Sequence, residues 1–105
     1  MKGIGHAQVW WADFPNEKIR PVVILTRARV AERLVRVVVA PITTTARGLA
    51  TEVELGSDEG VQPGSFANLD NVQLLDVNRL LHRAGRVSRT RWPVFCRAMA
   101  QMMAC

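Results

Sequence analysis

Short apolar runs separated by polar turns fill most of the chain, and they predict strands more often than helices. Residues 8–14 (QVWWADF) are aromatic and partly alternating, and the run stops at Pro15. Residues 21–26 (PVVILT) and 34–42 (LVRVVVAPI) are continuous β-branched and aliphatic runs. Such runs are typical of strands buried on both faces. Pro41 marks either the end of the second run or a bulge in it.

The second half of the chain continues this pattern with shorter elements. Residues 51–55 (TEVEL) alternate strictly, so Val53 and Leu55 face away from Glu52 and Glu54 on a half-exposed strand. Residues 64–75 predict two short strands around a bend at Asp70 and Asn71. Residues 27–32 and 78–81 are each expected to hold a helical turn, and residues 85–87 a short or edge strand.

One clear helix is expected at the end of the chain. Its apolar face comprises residues spaced at i, i+3, i+7, i+10 and i+11, namely Trp92, Phe95, Met99, Met102 and Met103. Pro93 must lie in the first turn, where its missing N–H has no helical partner. Thr90 is the predicted N-cap, which places Pro93 at the third helical position.

Many short strands followed by one terminal helix indicate a compact barrel or strongly bent sheet with a helix packed on it. The 105 residues are enough for a single domain, expected to span residues 1–105. No stretch approaches the ~20 apolar residues of a membrane span. Residues 1–6 lack the apolar region of a signal peptide, so we expect a cytoplasmic protein with no membrane association.

The cysteines and histidines do not indicate a disulfide framework or a metal site. Cys96 and Cys105 would lie ~13 Å apart on one helix, on opposite faces, and could not be bridged within the chain. They are expected to be two inert thiols. His6 and His82 are far apart in sequence and belong to no zinc-type pair, so both are interpreted as surface or loop residues and no metal is expected.

The chain carries a formal net charge of +5, and 12 of its 14 basic residues are arginine. Guanidinium groups bind phosphate with paired hydrogen bonds, so a nucleic acid or an acidic protein is the expected partner. High-GC codon usage is an alternative cause of the arginine content that requires no binding role.

The sequence has no glycine-rich phosphate loop and no carboxylate cluster for two metal ions. Phosphodiester cleavage without metal points to RNA, whose own 2′-OH can attack the adjacent phosphorus. Arg20 precedes one buried strand and Thr43 follows the next. Antiparallel pairing of these neighbours would bring the two residues to one edge. The alternative is a solvated arginine at a strand rim and a loop that is simply polar.

Five segments in order resemble the MazF/PemK/Kid family of bacterial toxin endoribonucleases: QVWWADF, IRPVVILT, VVVAPITTTARGLATEVEL, NLDNVQLL and GRVS. The resemblance covers nearly the whole chain. It implies a small SH3-like, MazF-type barrel of antiparallel strands with a C-terminal helix, forming a homodimer. It also implies sequence-specific cleavage of single-stranded RNA without a cofactor, inhibition by a cognate MazE-like antitoxin with an acidic C-terminal segment, and arrest of translation and growth.

The resemblance assigns roles to individual residues. Arg20 matches the family's catalytic arginine, acting in proton transfer and in neutralising the phosphorane, and Thr43 matches its catalytic threonine. The RNA-binding residues it implies are Thr44, Arg47, Asp70, Asn68 and Trp11. Trp10 is the alternative to Trp11 as a stacking face for an unpaired base, and core packing is expected for at least one of the two.

The chain also departs from the family pattern. Residues 6–8 (HAQ) stand where members carry Arg-Gly-Asp/Glu, and residues 15–19 form a short loop that retains only Glu17. Asn68 replaces an arginine that some members place two residues before the aspartate. The shortened loop affects the expected sequence preference more than the expected activity, and Asn68 leaves its position without a second basic catalytic group.

A binding protein without catalytic activity is the alternative, because the gyrase poison CcdB shares this fold. CcdB relies on a Trp-Gly-Ile-like C-terminus, whereas this chain ends Met-Met-Ala-Cys. That ending, together with Arg20 and Thr43, favours the nuclease.

Overall fold

A computed structural model describes residues 3–104. Within this range the strands are β1 (Gln8–Ala12), β2 (Arg20–Ile24), β3 (Arg36–Thr43), β4 (Glu52–Leu55), β5 (Ser65–Asn68), β6 (Gln73–Asp76) and β7 (Leu80–Arg86). A single helical turn, α1 (Ala28–Ala31), joins β2 to β3, and α2 (Trp92–Met102) follows β7. Short 3-10 turns at Ser57–Glu59, Leu69–Asn71 and Val77–Arg79 complete the connections.

The described strands form one antiparallel sheet in the order β4-β5-β3-β2-β1-β7, and β6 pairs with the first half of β3. The two ends of this order approach each other, because the turn after β4 packs against β7 at Gly60 and Gly85. The prediction of a barrel-like antiparallel sheet with a C-terminal helix is therefore confirmed, although the sheet is not closed by strand pairing.

The central strands are buried on both faces, as their continuous apolar sequence predicts. In β2, Val22 and Ile24 belong to one core cluster and Val23 to the other. The cluster that contains Val23 also contains Phe95 and Ala98 of α2, whereas the opposite cluster contains Ala31 of α1. Each face of the sheet thus has its own core, and the two helices cover different faces.

Several sequence-based boundaries need correction. Pro41 neither ends β3 nor forms a bulge, since it pairs in register with Val22 and the strand continues to Thr43. The helical turn predicted for residues 78–81 is a 3-10 turn at Val77–Arg79, and β7 starts at Leu80 instead of residue 85. The sequence of β7, LLHRAGR, does not alternate and its register with β1 shifts twice, so the pattern predicts a strand shorter than the one observed.

The start of α2 also differs from the prediction by one residue. Arg91, not Thr90, is the N-cap, and Pro93 is the second helical residue. The hydroxyls of Ser88 and Thr90 hydrogen-bond to each other at 3.0 Å, which leaves Thr90 without a capping role. Met103 lies beyond the helix and is 60% exposed, so it does not belong to the apolar face.

Candidate active site

Arg20 and Thr43 lie at one rim of the sheet. Arg20 opens β2 and Thr43 closes β3, and the two strands are antiparallel with Val22 opposite Pro41. Continuing this register by two residues places Arg20 across from Thr43, on adjacent strands that run about 4.8 Å apart. Alternation along both strands puts the two side chains on the same face. The predicted strand pairing is confirmed.

The guanidinium of Arg20 is only partly satisfied by the protein. Its side chain is 38% exposed, and Nη2 lies 3.8 Å from Oε1 of Glu17. Nε is buried, and within residues 3–104 it has no hydrogen-bond partner. An unpaired buried donor costs about 1–3 kcal/mol, so this atom favours a ligand that brings an acceptor oxygen.

Thr43 has its hydroxyl oriented by the loop that follows it. Oγ1 accepts a hydrogen bond from the backbone N–H of Thr45 at 3.2 Å. The hydroxyl hydrogen can therefore be donated to another group. Thr44, the next residue, is exposed in the same loop.

The loop after Thr43 is held by Glu52, the first residue of β4. Its carboxylate accepts hydrogen bonds from the backbone N–H groups of Leu49 at 3.0 Å and Arg47 at 3.0 and 3.1 Å. The pKa of Glu52 is lowered, and the hydrogen bond from Leu49 has the largest effect. The hydrogen bonds and the charge of Arg47 lower it further, whereas desolvation acts in the opposite direction. The side chain is 3% exposed. Strict alternation in residues 51–55 is confirmed, but Glu52 is not the solvated side chain that the pattern suggests.

Arg47, Asp70 and Asn68 form one polar cluster beside this loop. Nη2 of Arg47 lies 3.2 Å from both carboxylate oxygens of Asp70. With its amide oriented as these neighbours require, Asn68 donates to Asp70 and accepts from Arg47 at 3.2 Å. Asn68 lies two residues along β5 from Phe66, which pairs directly with Thr43. The sequence-predicted residues Arg47, Asn68 and Asp70 thus lie together, on the side of Thr43 away from Arg20.

The two tryptophans of β1 have different surroundings. Trp10 donates through Nε1 to Gln8 at 2.9 Å and packs against the core cluster that contains Ala12. Trp11 stacks on the exposed His82, with ring centroids 6.3 Å apart. Because Ala12 pairs with Arg20, alternation places Trp11 on the face opposite Arg20 and Thr43. The structure therefore does not bring Trp11 together with the other predicted residues.

A model of a known family matches residues 6–103 of the chain. It describes a PemK-like, MazF-like toxin of type II toxin-antitoxin systems. The chain belongs to this family.

Two mycobacterial members show how similar this MazF-like chain is to its relatives. MazF5 of Mycobacterium tuberculosis is 42% identical over 102 residues, which cover 95% of this chain and 93% of the relative. The endoribonuclease MazF3 of the same species is 42% identical over 83 residues, covering 79% of this chain and 81% of the relative.

Solved structures agree with the MazF-type assignment. The Mycobacterium tuberculosis toxin MazF-mt6 superposes with a TM-score of 0.84 at 38% identity, covering 90% of this chain and 94% of that one. An endoribonuclease from a mycobacterial species, solved in complex with its cognate antitoxin, has a TM-score of 0.85 at 23% identity and coverage of 95% and 94%; this similarity supports the fold alone. The family match and the 42% identical relatives favour a MazF toxin over the CcdB alternative.

Sequence reasoning missed two residues of this candidate site. Phe66 is a half-buried aromatic residue paired with Thr43, and Glu52 holds the loop. Both belong to regularly alternating strands, where an aromatic or acidic residue has no distinctive signal. Only the pairing of β3 with β5 and the path of the loop reveal their positions.

Three further observations concern residues 3–104. No group of three or more His, Cys, Asp or Glu side chains is arranged to hold a metal ion there. No helix in this range is long and apolar enough to cross a membrane. Cys96 is an exposed free thiol on α2, whereas Cys105 lies outside the described residues.

Proposed function

We propose that this protein is a toxin that cleaves single-stranded RNA at a specific sequence, with Arg20 and Thr43 as its catalytic residues. The cleavage uses the 2′-OH of the RNA as the nucleophile and needs no metal ion or other cofactor. The protein acts in the cytoplasm as one domain spanning residues 1–105, and it arrests translation and growth.

The buried, unpaired Nε of Arg20 is the observation that carries this proposal. When the partly exposed Arg20 side chain turns toward bound RNA, a phosphate oxygen at the rim supplies the acceptor that this nitrogen lacks, and the charged guanidinium stabilises negative charge on that oxygen. Thr43 lies on the adjacent strand and the same face, with its hydroxyl hydrogen free to donate to the same phosphate.

The reaction consists of one displacement at phosphorus. The 2′-oxygen forms a bond to the adjacent phosphorus while the bond to the 5′-oxygen breaks, which leaves a 2′,3′-cyclic phosphate and a 5′-hydroxyl. The Glu17 carboxylate, whose Oε1 lies 3.8 Å from Nη2 of Arg20, accepts the proton of the 2′-OH. Solvent water then relays a proton from Glu17 to the leaving 5′-oxygen, so the step has no net uptake or release of protons. In the pentavalent transition state, negative charge develops on the phosphoryl oxygens beside Arg20. The guanidinium therefore stabilises the transition state more than the bound substrate.

Sequence preference comes from the polar residues beyond Thr43. Arg47, Asn68 and Asp70 present fixed donors and acceptors to base edges, and Thr44 lies next to the catalytic hydroxyl. Phe66 supplies a stacking face beside Thr43, a role that its position favours over Trp11 on the opposite face. Trp11 contacts the RNA only where the RNA strand passes around the rim of the sheet to its opposite face.

The partners of the protein follow from its family and its charge. Membership in a family of type II toxins implies a cognate MazE-like antitoxin, and the net charge of +5 suits an acidic C-terminal segment of that antitoxin. The active form is a homodimer.

Cleavage of total RNA by the purified protein in excess EDTA, with the new 5′ ends mapped, tests the proposal. We expect cuts at one short motif, and a rate lower by about 10²–10³ for Arg20→Ala, as for the loss of one oxyanion donor. Arg79→Ala is the matched control, because Arg79 is similarly exposed (43%) and pairs with Asp13. Equal rates for the two variants, or activity that requires Mg²⁺, would contradict the proposal.

A further inference from the structure

Two adjoining hollows lie at the opposite end of the β1–β2 hairpin from Arg20. One, of about 310 Å³, is lined by His6, Leu25, Arg27, Trp92, Cys96 and Met99. The other, of about 240 Å³, is lined by His6, Ala7, Arg86, Val87, Arg89, Trp92 and Pro93. His6 and Trp92 line both hollows and form the wall between them. We call the two hollows together the Trp92 surface.

The Trp92 surface is basic. Arg27, Arg86 and Arg89 line it, and no acidic side chain does. Within the described residues, none of these arginines has a carboxylate within 4.0 Å, in contrast to Arg20, Arg47, Arg79 and Arg91. The three guanidinium groups are therefore available to an anionic ligand, and the positive end of the α2 dipole lies beside them.

The wall of the Trp92 surface is aromatic and fixed in place. The indole of Trp92 stacks on Phe95 at 5.2 Å, and its centroid lies 5.7 Å from that of His6. His6 in turn accepts a hydrogen bond from the backbone N–H of Ala28 through Nδ1 at 3.3 Å. The aromatic wall is thus anchored to the core on one side and to α1 on the other.

This combination favours RNA over an acidic protein. A partner helix or peptide needs apolar anchors, and none of the strongly exposed large apolar residues of the described chain lines the Trp92 surface. Two small hollows separated by aromatic rings and edged by guanidinium groups suit successive flat bases and their phosphates.

We propose that the Trp92 surface is a second RNA-binding site of this protein. It lies beyond the opposite end of β1 from Arg20: the four residue steps from Gln8 to Ala12, the partner of Arg20, span about 13 Å, and His6 lies two residues before Gln8. The site holds RNA that flanks the cleaved phosphate, so it raises affinity for long substrates without entering the reaction. This inference rests on the proposed function, since it extends the same RNA substrate.

Fluorescence anisotropy tests the site with a long single-stranded oligoribonucleotide whose 2′-O-methyl riboses prevent cleavage. The test variant is the triple substitution Arg27→Gln, Arg86→Gln and Arg89→Gln. The control is Arg29→Gln, Arg33→Gln and Arg36→Gln, which removes the same charge from three exposed arginines elsewhere. We expect the test variant to bind about ten-fold or more weakly than the control, and its salt slope to fall by about 2, or ~0.7 for each lost phosphate contact.

The same experiment separates the alternatives. Equal affinity and equal salt slope in the two triple variants overturn the second site. A polyglutamate peptide is measured in parallel, and loss of its binding alone assigns the surface to an acidic protein and also overturns the proposal. A wild-type protein that neither binds nor cleaves RNA refutes the proposed function itself, whereas wild-type cleavage with no effect of the test variant refutes only the second site.

Alkylation of Cys96 gives a second measurement that does not depend on charge. Cys96 is exposed and lines the larger hollow. In a Cys105→Ser protein, the blocked oligoribonucleotide should slow the reaction of Cys96 with a thiol reagent several-fold. An unchanged rate at saturating RNA contradicts binding at this surface.

Discussion

At the scale of single residues, the charged side chains at the rim of the sheet differ in whether they are paired with an opposite charge. Arg47 is neutralised by Asp70 at 3.2 Å, whereas Arg20 has only a distant contact with Glu17 and a buried nitrogen without a partner. The sequence separates the two by position, because Arg20 precedes a buried strand and Arg47 lies in a polar loop, but it does not show which of them is paired with a carboxylate. The pairing of β2 with β3 was predictable from neighbouring buried strands, but the unpaired nitrogen required coordinates.

Replacing Thr43 tests the role of its hydroxyl. Thr43→Val keeps the β-branched shape but removes the donor, so we expect the single-turnover cleavage rate to fall roughly ten- to several-hundred-fold, as for ~1.5–3 kcal/mol of hydrogen bonding to charge. Thr43→Ser retains the donor and should keep most of the rate. Similar losses in both variants would mean that the methyl group, not the hydroxyl, is what matters.

Glu52 makes stability depend on pH. The pKa of its carboxyl group is lowered in the folded state, chiefly by the hydrogen bond from the N–H of Leu49. The ionised carboxylate therefore stabilises the fold at pH values above 4.5, the ordinary pKa of this group. That contribution is lost as pH falls below 4.5 through the lowered pKa of the folded state. We expect wild type to have a higher Tm than Glu52→Gln at neutral pH, with the difference shrinking in acid. A difference that stays constant down to pH 3 would show that the carboxylate charge does not hold the loop.

At the scale of elements, alternation and continuity of apolar residues predicted β2, β3, β4 and the face of α2 well. They failed at β7, where Leu80 is the only buried residue and two register shifts break the alternation. They also missed the close contact between β7 and the turn at Ser57–Glu59. That contact depends on two glycines far apart in sequence, Gly60 and Gly85, and a lone glycine indicates only a possible turn.

Alanine substitutions measure this close approach. Gly60 has φ +83°, and an added Cβ would collide with the backbone carbonyl of Ala84. Gly64 has φ +82° with open space around it, which makes it a matched control. We expect Gly64→Ala to cost about 1–2 kcal/mol for its left-handed backbone, and Gly60→Ala to cost about 1–3 kcal/mol more, measured by urea denaturation. Equal losses of unfolding free energy in the two variants would indicate that β7 can move away from the turn at Gly60 without cost.

At the scale of the whole molecule, a net charge of +5 acts on any polyanion that approaches. The basic residues are not uniformly placed. Three arginines with no carboxylate within 4.0 Å among residues 3–104 surround Trp92, while those at the rim are partly paired. The sign of the charge was readable from composition. The placement of this charge at the two ends of the β1–β2 hairpin could not be predicted from composition, because it depends on how β1 and β2 pair.

Ionic strength should therefore control the efficiency of the enzyme. We expect log(kcat/KM) for a long RNA to fall linearly with log salt concentration, by ~0.7 for each phosphate contact, while kcat changes little. Stopped assays in buffered KCl with EDTA measure this dependence. A flat profile would show that electrostatic contacts with phosphates contribute nothing to substrate capture.

The pairing of β1 with β7 has a consequence for synthesis on the ribosome. β1 starts at Gln8, yet its outer partner ends at Arg86, so the sheet joins the first and last strands to be translated. Contacts of such long sequence separation form late and slowly. A growing polypeptide cannot complete this pairing until residue 86 has been made, so the sheet that holds Arg20 and Thr43 gains its β1–β7 pairing only after every residue of the rim has been translated.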